Sequence, residues 1–364
     1  MSSAMSQAGP RELPGGGALR RVASDPVRAA IDGARDLAEL AAAAKAIRRF
    51  ASGALASGED VLATTTTISE LNDRVTIQVV QRIAAQMGID VDKACWLSFG
   101  SQGRGEQTIA TDQDNGLVFA SADAHADRSR WLEYGRRVNE GLDACGYPLC
   151  RGRVMAGQPL CCLTTEEWCL RFEHWMAYGS VNDLLAVRIY FDVRPLFGNL
   201  ALAQPLTDLL RSPAASVPRF IKQLADVVLC NQVPLSWLGG IVTTRHHGRA
   251  MFDLKMSGTA LYVDAARLWA LAYAIAETGT APRMRAAARA MRVPAHEADA
   301  WQTGFETLLR LRLQIQCNRN EQTDPEERNW ADWDELDEGR RRDLKHALRT
   351  ARLLQQRVAL DYRR

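Results

Sequence analysis

The residues best suited to chemistry lie in one segment, 100–115, which reads GSQGRGEQTIATDQDN. It ends in two aspartates, Asp112 and Asp114, at positions i and i+2. In an extended chain both carboxylates point to the same face, whereas Gln113 points to the other. Two convergent carboxylates are typical of Mg²⁺ sites in which substrate phosphates complete the coordination. The pair therefore predicts a metal site.

The start of the same segment has the features of a phosphate-binding turn. An apolar stretch leads into Gly100 and Ser101, and a helical turn after it would present backbone N–H groups and a hydroxyl to an anion. Glycine allows a phosphate to approach the backbone closely. Arg104 follows, and its planar guanidinium is well suited to neutralising phosphate charge. The segment thus combines a predicted phosphate site with a predicted metal site.

Simpler explanations exist for parts of this pattern. An isolated Asp-x-Asp pair also occurs in surface turns that bind no metal. An EF-hand is excluded because its fifth position would be Gly116 and its sixth Leu117. The lysine of a P-loop and the G-x-G-x-x-G spacing of a dinucleotide site are both absent. Only the combination of apolar strand, Gly-Ser, ten-residue gap, Asp-x-Asp and second apolar strand favours a catalytic site.

The elements that must position this segment form a small α/β unit. Apolar runs predict strands at 94–100 and 114–120, a helix at 126–145 and a third strand at 146–150. Apolar residues three and four positions apart predict helices before the unit and almost throughout after residue 164. We therefore expect a mostly helical α+β fold with four parts: a disordered tail (1–24), N-terminal helices (25–90), the α/β core (91–157) and a helical domain (158–364).

The segment 100–115 resembles the signature of the DNA polymerase β-like nucleotidyltransferase superfamily. More specifically, it resembles nucleotidyltransferases related to PII-protein uridylyltransferase. The resemblance covers nearly everything from residue 26 to the C-terminus. It includes 71–73 (LND), 146–150 (GYPLC), 191–194 (FDVR) and 252–255 (FDLK). Because the segment before residue 88 is too short and too helical to contain them, we expect a form without the cyclic-nucleotide-binding and CBS domains of longer relatives.

The resemblance implies a reaction and a set of site residues. A nucleoside monophosphate would move from a nucleoside triphosphate to an acceptor hydroxyl, possibly on a protein, and pyrophosphate would leave. Asp112 and Asp114 would be catalytic and would hold one or two Mg²⁺ ions, and the helical domain would bind the substrate. The implied nucleotide-binding residues are Gly100, Ser101, Arg104, Gln107 and Asn115.

A third carboxylate is the missing feature of this site. Active members of the superfamily usually carry one on a neighbouring strand, but residues 147–155 contain no acid. Asp143 and Asp192 are the nearest alternatives, although pairing with Arg194 or a helix end explains Asp192 more simply. A catalytically inactive, nucleotide-binding regulatory module therefore stays open as the alternative function.

Two other groups have both a functional and a structural explanation. His246 and His247 could contact a phosphate or a metal, but an exposed loop explains them more simply. Asp253 and Lys255 flank a leucine in an apolar stretch, so they could form a structural ion pair or contact the nucleotide or the acceptor.

Composition limits the class of protein. The chain has 364 residues, is 47% hydrophobic and carries a net charge of +2, which is typical of a folded globular protein. So small a charge argues against binding extended nucleic acid, which needs a concentrated basic surface, whereas one nucleotide needs only a local site. The eight cysteines include no C-x-x-C pair, and no secretory or membrane-spanning segment is apparent. We therefore expect a cytoplasmic protein with no membrane partner.

Overall fold

The computed structural model describes residues 16–246, 248–320, 323–324 and 326–362. Its centre is a mixed four-stranded sheet with the strand order β3-β2-β1-β4. Strand β1 is antiparallel to both of its neighbours, and β3 is parallel to β2. All residues of β1 and β2 are buried, so helices and loops cover this part of the sheet on both faces. The strands are β1 (Ala94–Ser98), β2 (Asn115–Phe119), β3 (Cys162–Leu163) and β4 (Arg194–Gly198).

Three helices precede the sheet: α1 (Gly16–Gly33), α2 (Leu37–Ala56) and α3 (Val61–Met87). The side chains of Asp36 and Asp60 accept hydrogen bonds from backbone N–H groups in the first turns of α2 and α3, which fixes where these helices begin. The predicted disordered tail lies outside the described residues up to residue 15. From residue 16 onward the chain is helical instead, because α1 packs on α2 and α3 and buries Val27 and Ile31.

Two further helices pack on the sheet, and both were predicted. Helix α5 (Ala124–Ala144) packs on β2, β3 and α3, and α6 (Thr165–Tyr178) packs on β2 and β3. The indole N–H of Trp168 in α6 donates to the carbonyl oxygen of Leu117 in β2 at 3.1 Å. A short turn of helix, α4 (Gly100–Gly103), joins the end of β1 to the segment that carries the two aspartates. The sheet and these helices hold that segment from both sides.

The predicted third strand, 146–150, is wrong. Gly146 has a φ of 95°, and Pro148 has no N–H to donate, so this segment is a loop. The chain here still accepts hydrogen bonds from the aspartate segment: Gln113 N–H donates to the carbonyl oxygen of Pro148 in this loop, and Asn115 N–H donates to that of Val154, four residues beyond its end. Of the remaining strands of the sheet, β3 is too short, and β4 contains both Pro and Gly, so neither stands out from the helical sequence around it.

The C-terminal part is helical, as predicted, but it also contains a second sheet. Antiparallel strands β5 (Thr244–His246), β6 (Arg249–Asp253) and β7 (Trp330–Asp332) pair in that order. His246 is therefore in a strand rather than a loop, and it stacks on Trp330 with ring centroids 5.0 Å apart; His247 lies outside the described residues. The helices are α7 (Val181–Val187), α8 (Gln204–Arg211), α9 (Pro218–Cys230), α10 (Ala260–Ala272), α11 (Thr280–Ala290), α12 (Ala295–Asn318) and α13 (Glu338–Tyr362).

The prediction of a mostly helical α+β fold is confirmed. Within the described part of the chain, no helix is long and apolar enough to cross a membrane.

Candidate functional site

The turn α4 packs directly against the predicted metal site. Gly100 has a φ of +55°, and a Cβ there would lie 2.9 Å from Asp114 Oδ2. A Cβ on Gly103 would lie 1.7 Å from the carbonyl oxygen of Asp192. Position 100 therefore requires glycine both for its positive φ and for lack of room for a Cβ, and position 103 requires it for lack of room alone. The Phe99 N–H donates to Asp114 O at 2.9 Å, which completes the connection between the turn and the aspartate segment.

Asp112 and Asp114 converge, as their spacing predicts. Their carboxylate oxygens and the thiol of Cys150 all lie within 4.8 Å of one another, and no other cluster of at least three acidic, histidine or cysteine side chains with this geometry occurs in the described residues. Asp112 is 30% exposed, whereas Asp114 is buried. The third member of the cluster is thus a thiol, and neither Asp143 nor Asp192 belongs to it.

Two of the three side chains in this cluster are suitable ligands for Mg²⁺. Mg²⁺ takes oxygen ligands and is commonly held by one or two carboxylates together with substrate phosphates. Asp112 and Asp114 supply those carboxylates, and Asp112 is open enough to leave room for a phosphate. A thiol is a soft ligand that Mg²⁺ does not use. Cys150 therefore adds nothing to Mg²⁺ coordination.

Burial controls the protonation of this cluster. Burial, followed by the charge of Asp112, raises the pKa of Asp114 to about 7, and the opposing effects of Lys255 and the Cys150 thiol are smaller. Burial also raises the pKa of Cys150 to about 12. At neutral pH the thiol is protonated and hydrogen-bonds Asp114. A pair of carboxylates in this environment is stabilised by any cation that reaches it.

One such cation comes from the C-terminal part of the chain. Lys255 Nζ lies 3.7 Å from Asp112 Oδ1, and its side chain is 39% exposed. It begins a π-helical turn, Lys255–Thr259, directly after β6. The Asp253 carboxylate accepts hydrogen bonds from the backbone N–H groups of Lys255 and Met256, so it orients the turn and does not pair with the lysine side chain. Lys255 therefore faces the candidate metal site.

Arg104 is held in a different environment from the one expected. Its side chain is 11% exposed and pairs with Glu106 at 2.5 Å and with Asp192 at 2.6 Å. Asp192 also accepts hydrogen bonds from Arg267 in α10 and Arg283 in α11. Burial alone would raise the pKa of Asp192, but the three guanidinium groups outweigh it and hold that pKa well below its usual range. The geometry thus supports a role for Arg104 in fastening α4 to the C-terminal helices.

The expected partner of Asp192 is also different. Arg194 does not pair with it but forms a salt bridge of 2.8 Å with Asp73 in α3, and it donates to the carbonyl oxygen of Gln102. Asp73 in turn accepts a hydrogen bond from the Gln102 side chain at 3.1 Å. These contacts fasten α4 to α3 and β4, and they leave Asp192 to the arginines of the C-terminal helices.

The other predicted nucleotide-binding residues differ in accessibility. Ser101 is half-buried, and its hydroxyl lies 3.4 Å from that of Thr111, next to Asp112. Gln107 is buried and hydrogen-bonds both Asn72 and Thr111. Through these two bonds Gln107 helps to position the aspartate segment. Ser101, in contrast, places its hydroxyl close to the two aspartates.

Asn115 lies on the face of the segment opposite the carboxylates. Its side-chain oxygen accepts hydrogen bonds from Asn139 and from the backbone N–H of Ala156. Gln113 and Asn139 are also hydrogen-bonded to each other, so three buried amides form one network. The same alternation that places Gln113 opposite the aspartates applies to Asn115, two residues later. That signal could have found its structural role from the sequence.

Two family models match most of the chain. The first, described as "Putative nucleotidyltransferase DUF294", matches residues 45–182, and the second, described as "Putative nucleotidyltransferase substrate binding domain", matches residues 218–362. The chain belongs to the DUF294 nucleotidyltransferase family. A search of curated proteins found no match. In this DUF294 protein the first matched region contains α4 and both aspartates, and the second contains Lys255. The two regions thus meet at the candidate metal site.

Proposed function

We propose that this protein is a Mg²⁺-dependent nucleotidyltransferase that moves a nucleoside monophosphate from a nucleoside triphosphate to an acceptor hydroxyl. By analogy with PII-protein uridylyltransferases, we propose that a protein carries the acceptor group. The observation that carries the proposal is the convergence of Asp112 and Asp114 against a turn in which Gly100 leaves room for no side chain. Membership of the DUF294 family supports it.

Each residue of the site has a task in this reaction. Asp112 and Asp114 hold the metal, which when bound orients the triphosphate and stabilises the charge that develops on it. The Ser101 hydroxyl donates a hydrogen bond to a phosphate oxygen. Lys255 is long and exposed enough to turn from Asp112 towards the phosphates, where it neutralises negative charge. Arg104 does not contact substrate but keeps α4 in position through Asp192.

The alternative function is a nucleotide-binding regulatory module without transfer activity. It is favoured by the third member of the cluster, because Cys150 with a pKa of about 12 cannot replace a carboxylate as a base at neutral pH. The two functions share nucleotide binding and differ only in chemistry.

Label transfer separates the two functions. The purified protein is incubated with Mg²⁺, each α-labelled nucleoside triphosphate and cell lysate, and both labelled protein and released pyrophosphate are measured. We expect transfer by the wild type, its loss in Asp112→Ala and Asp114→Ala, and its retention in Asp143→Ala, which removes an exposed aspartate outside the cluster. Nucleotide binding without transfer or pyrophosphate release would instead establish the regulatory module.

A further inference from the structure

A cavity lies beside the aspartate segment, on the side of the N-terminal helices. It has a volume of about 180 Å³ and is bounded by α2, α3, the segment 108–111 and the loop after α5. Its lining contains three basic residues from separate parts of the chain: Lys45, Arg48 and Arg328. No acidic residue is found among the described residues that line it. The cavity therefore has the electrostatic character of an anion site.

A buried polar group at this cavity has no hydrogen-bond partner among the described residues. Thr108 is only 1% exposed, and no atom of the described residues hydrogen-bonds its hydroxyl. Leaving a buried hydroxyl without a hydrogen-bond partner carries a free-energy cost. An oxygen atom of a bound ligand would remove that cost. Ile47 and Ile109 supply apolar surface in the same lining, so the cavity also suits a short hydrocarbon body.

The size of the cavity limits the ligand. A cavity of about 150 Å³ holds benzene, which has six non-hydrogen atoms, so this cavity of about 180 Å³ holds a molecule only slightly larger. That volume accommodates a metabolite of about six to nine non-hydrogen atoms, whereas a nucleoside triphosphate is several times larger. We propose that this cavity binds a small organic anion, with a carboxylate or phosphate group at the basic residues and a short apolar body against the isoleucines.

The cavity is connected to the catalytic segment through Thr111. Thr111 lines the cavity and directly precedes Asp112. Its hydroxyl lies 3.4 Å from both the Ser101 hydroxyl and the Gln107 side-chain nitrogen. An anion in the cavity therefore acts on the position of Asp112 and Ser101 without contacting the nucleotide. This role is that of an effector, and anion binding itself does not depend on the proposed transfer reaction.

The anchoring of Arg48 explains how the cavity keeps its shape. Its guanidinium donates to the carbonyl oxygens of Gln316 and Cys317 at 2.9 and 3.0 Å, at the end of α12. These bonds connect α2 with the substrate-binding region that the second family model matches. An anion beside Arg48 is thus placed where the two matched regions meet, as well as next to the catalytic segment.

Isothermal titration of the full chain with succinate, butyrate and inorganic phosphate tests the proposal. We expect at least one probe to bind in a 1:1 ratio, with at least a tenfold weaker affinity for Lys45→Met and for Thr108→Val. The control is Arg49→Met, which removes a neighbouring exposed charge that does not line the cavity, and it should bind as the wild type does. Thr108→Val removes an unpartnered hydroxyl, so its melting temperature without probe should not fall, and lost binding cannot be ascribed to unfolding.

A competition experiment separates this cavity from the nucleotide site. Binding of the probe should persist when Mg²⁺ and a non-hydrolysable nucleoside triphosphate are saturating. The proposal is overturned if none of the probes binds, if both variants bind as the wild type does, or if the nucleotide displaces the probe. Because each measurement is made without turnover, its result stands whether or not the protein transfers nucleotides.

Discussion

Replacing Asp114 with asparagine should stabilise the protein when no divalent metal is present, even though it removes a proposed metal ligand. The Asp114 side chain is buried, and this burial together with the charge of Asp112 raises its pKa from 3.8 to about 7. Asparagine is nearly the same size and carries no charge. The variant should therefore fold without the cost of placing a second negative charge in a poorly solvated position.

The size of the effect follows from the pKa shift. One pK unit corresponds to about 1.4 kcal/mol, so a shift of about three units corresponds to roughly 4 kcal/mol once Asp114 is ionised. The unfolded chain loses this proton first, so the cost begins above about pH 4, increases with pH and is complete above about pH 7. The stability advantage of Asp114→Asn over the wild type should therefore be about 2 kcal/mol larger at pH 8 than at pH 5.5.

Urea unfolding followed by tryptophan fluorescence, with EDTA at pH 5.5 and pH 8, measures this difference. Asp143→Asn is the control, because Asp143 is exposed at the end of α5 and should show no such pH dependence. Added Mg²⁺ should stabilise the wild type at pH 8 but not Asp114→Asn, since only a folded state that binds the ion gains from it. An Asp114→Asn protein that is less stable at pH 8, or whose advantage is the same at both pH values, would refute the assigned environment of Asp114.

Three other substitutions test separate parts of the site. Gly100→Ala should lower the free energy of unfolding by more than Gly105→Ala does in the same urea assay. Both positions have a positive φ, which costs a residue with a Cβ about 1–2 kcal/mol. Only at position 100 would the new Cβ also collide with a neighbouring side chain, that of Asp114. Lys255→Met should increase Mg²⁺ affinity several-fold without nucleotide and weaken triphosphate binding, both by calorimetry; a fall in both affinities would contradict its proposed task. Asp192→Asn should destabilise the fold by about 3–5 kcal/mol, because it leaves three buried guanidinium groups without their shared carboxylate, and an unchanged unfolding midpoint would show that this network is not required.

The features that the sequence determined are local ones. The alternation of side chains in an extended chain places Asp112 and Asp114 on one face, and the structure agrees. The same kind of local signal located most of the helices, because apolar residues three and four positions apart face one side whatever they pack against. The strand Ala94–Ser98 was found from its apolar run, which is required of a strand buried on both faces. These properties depend on neighbours within a few residues.

Other features were decided only by the tertiary structure, because they join residues far apart in the chain. Cys150 was part of a predicted strand, yet the loop that it occupies brings its thiol to the two aspartates. Arg104 had the right chemistry for phosphate, but its guanidinium pairs with the carboxylate of Asp192, which lies 88 residues further along the chain. Lys255 had two explanations of equal weight until the π-helical turn after β6 directed it to Asp112. The type of a residue determines its charge and its capacity for hydrogen bonds, but tertiary packing determines which partner it meets.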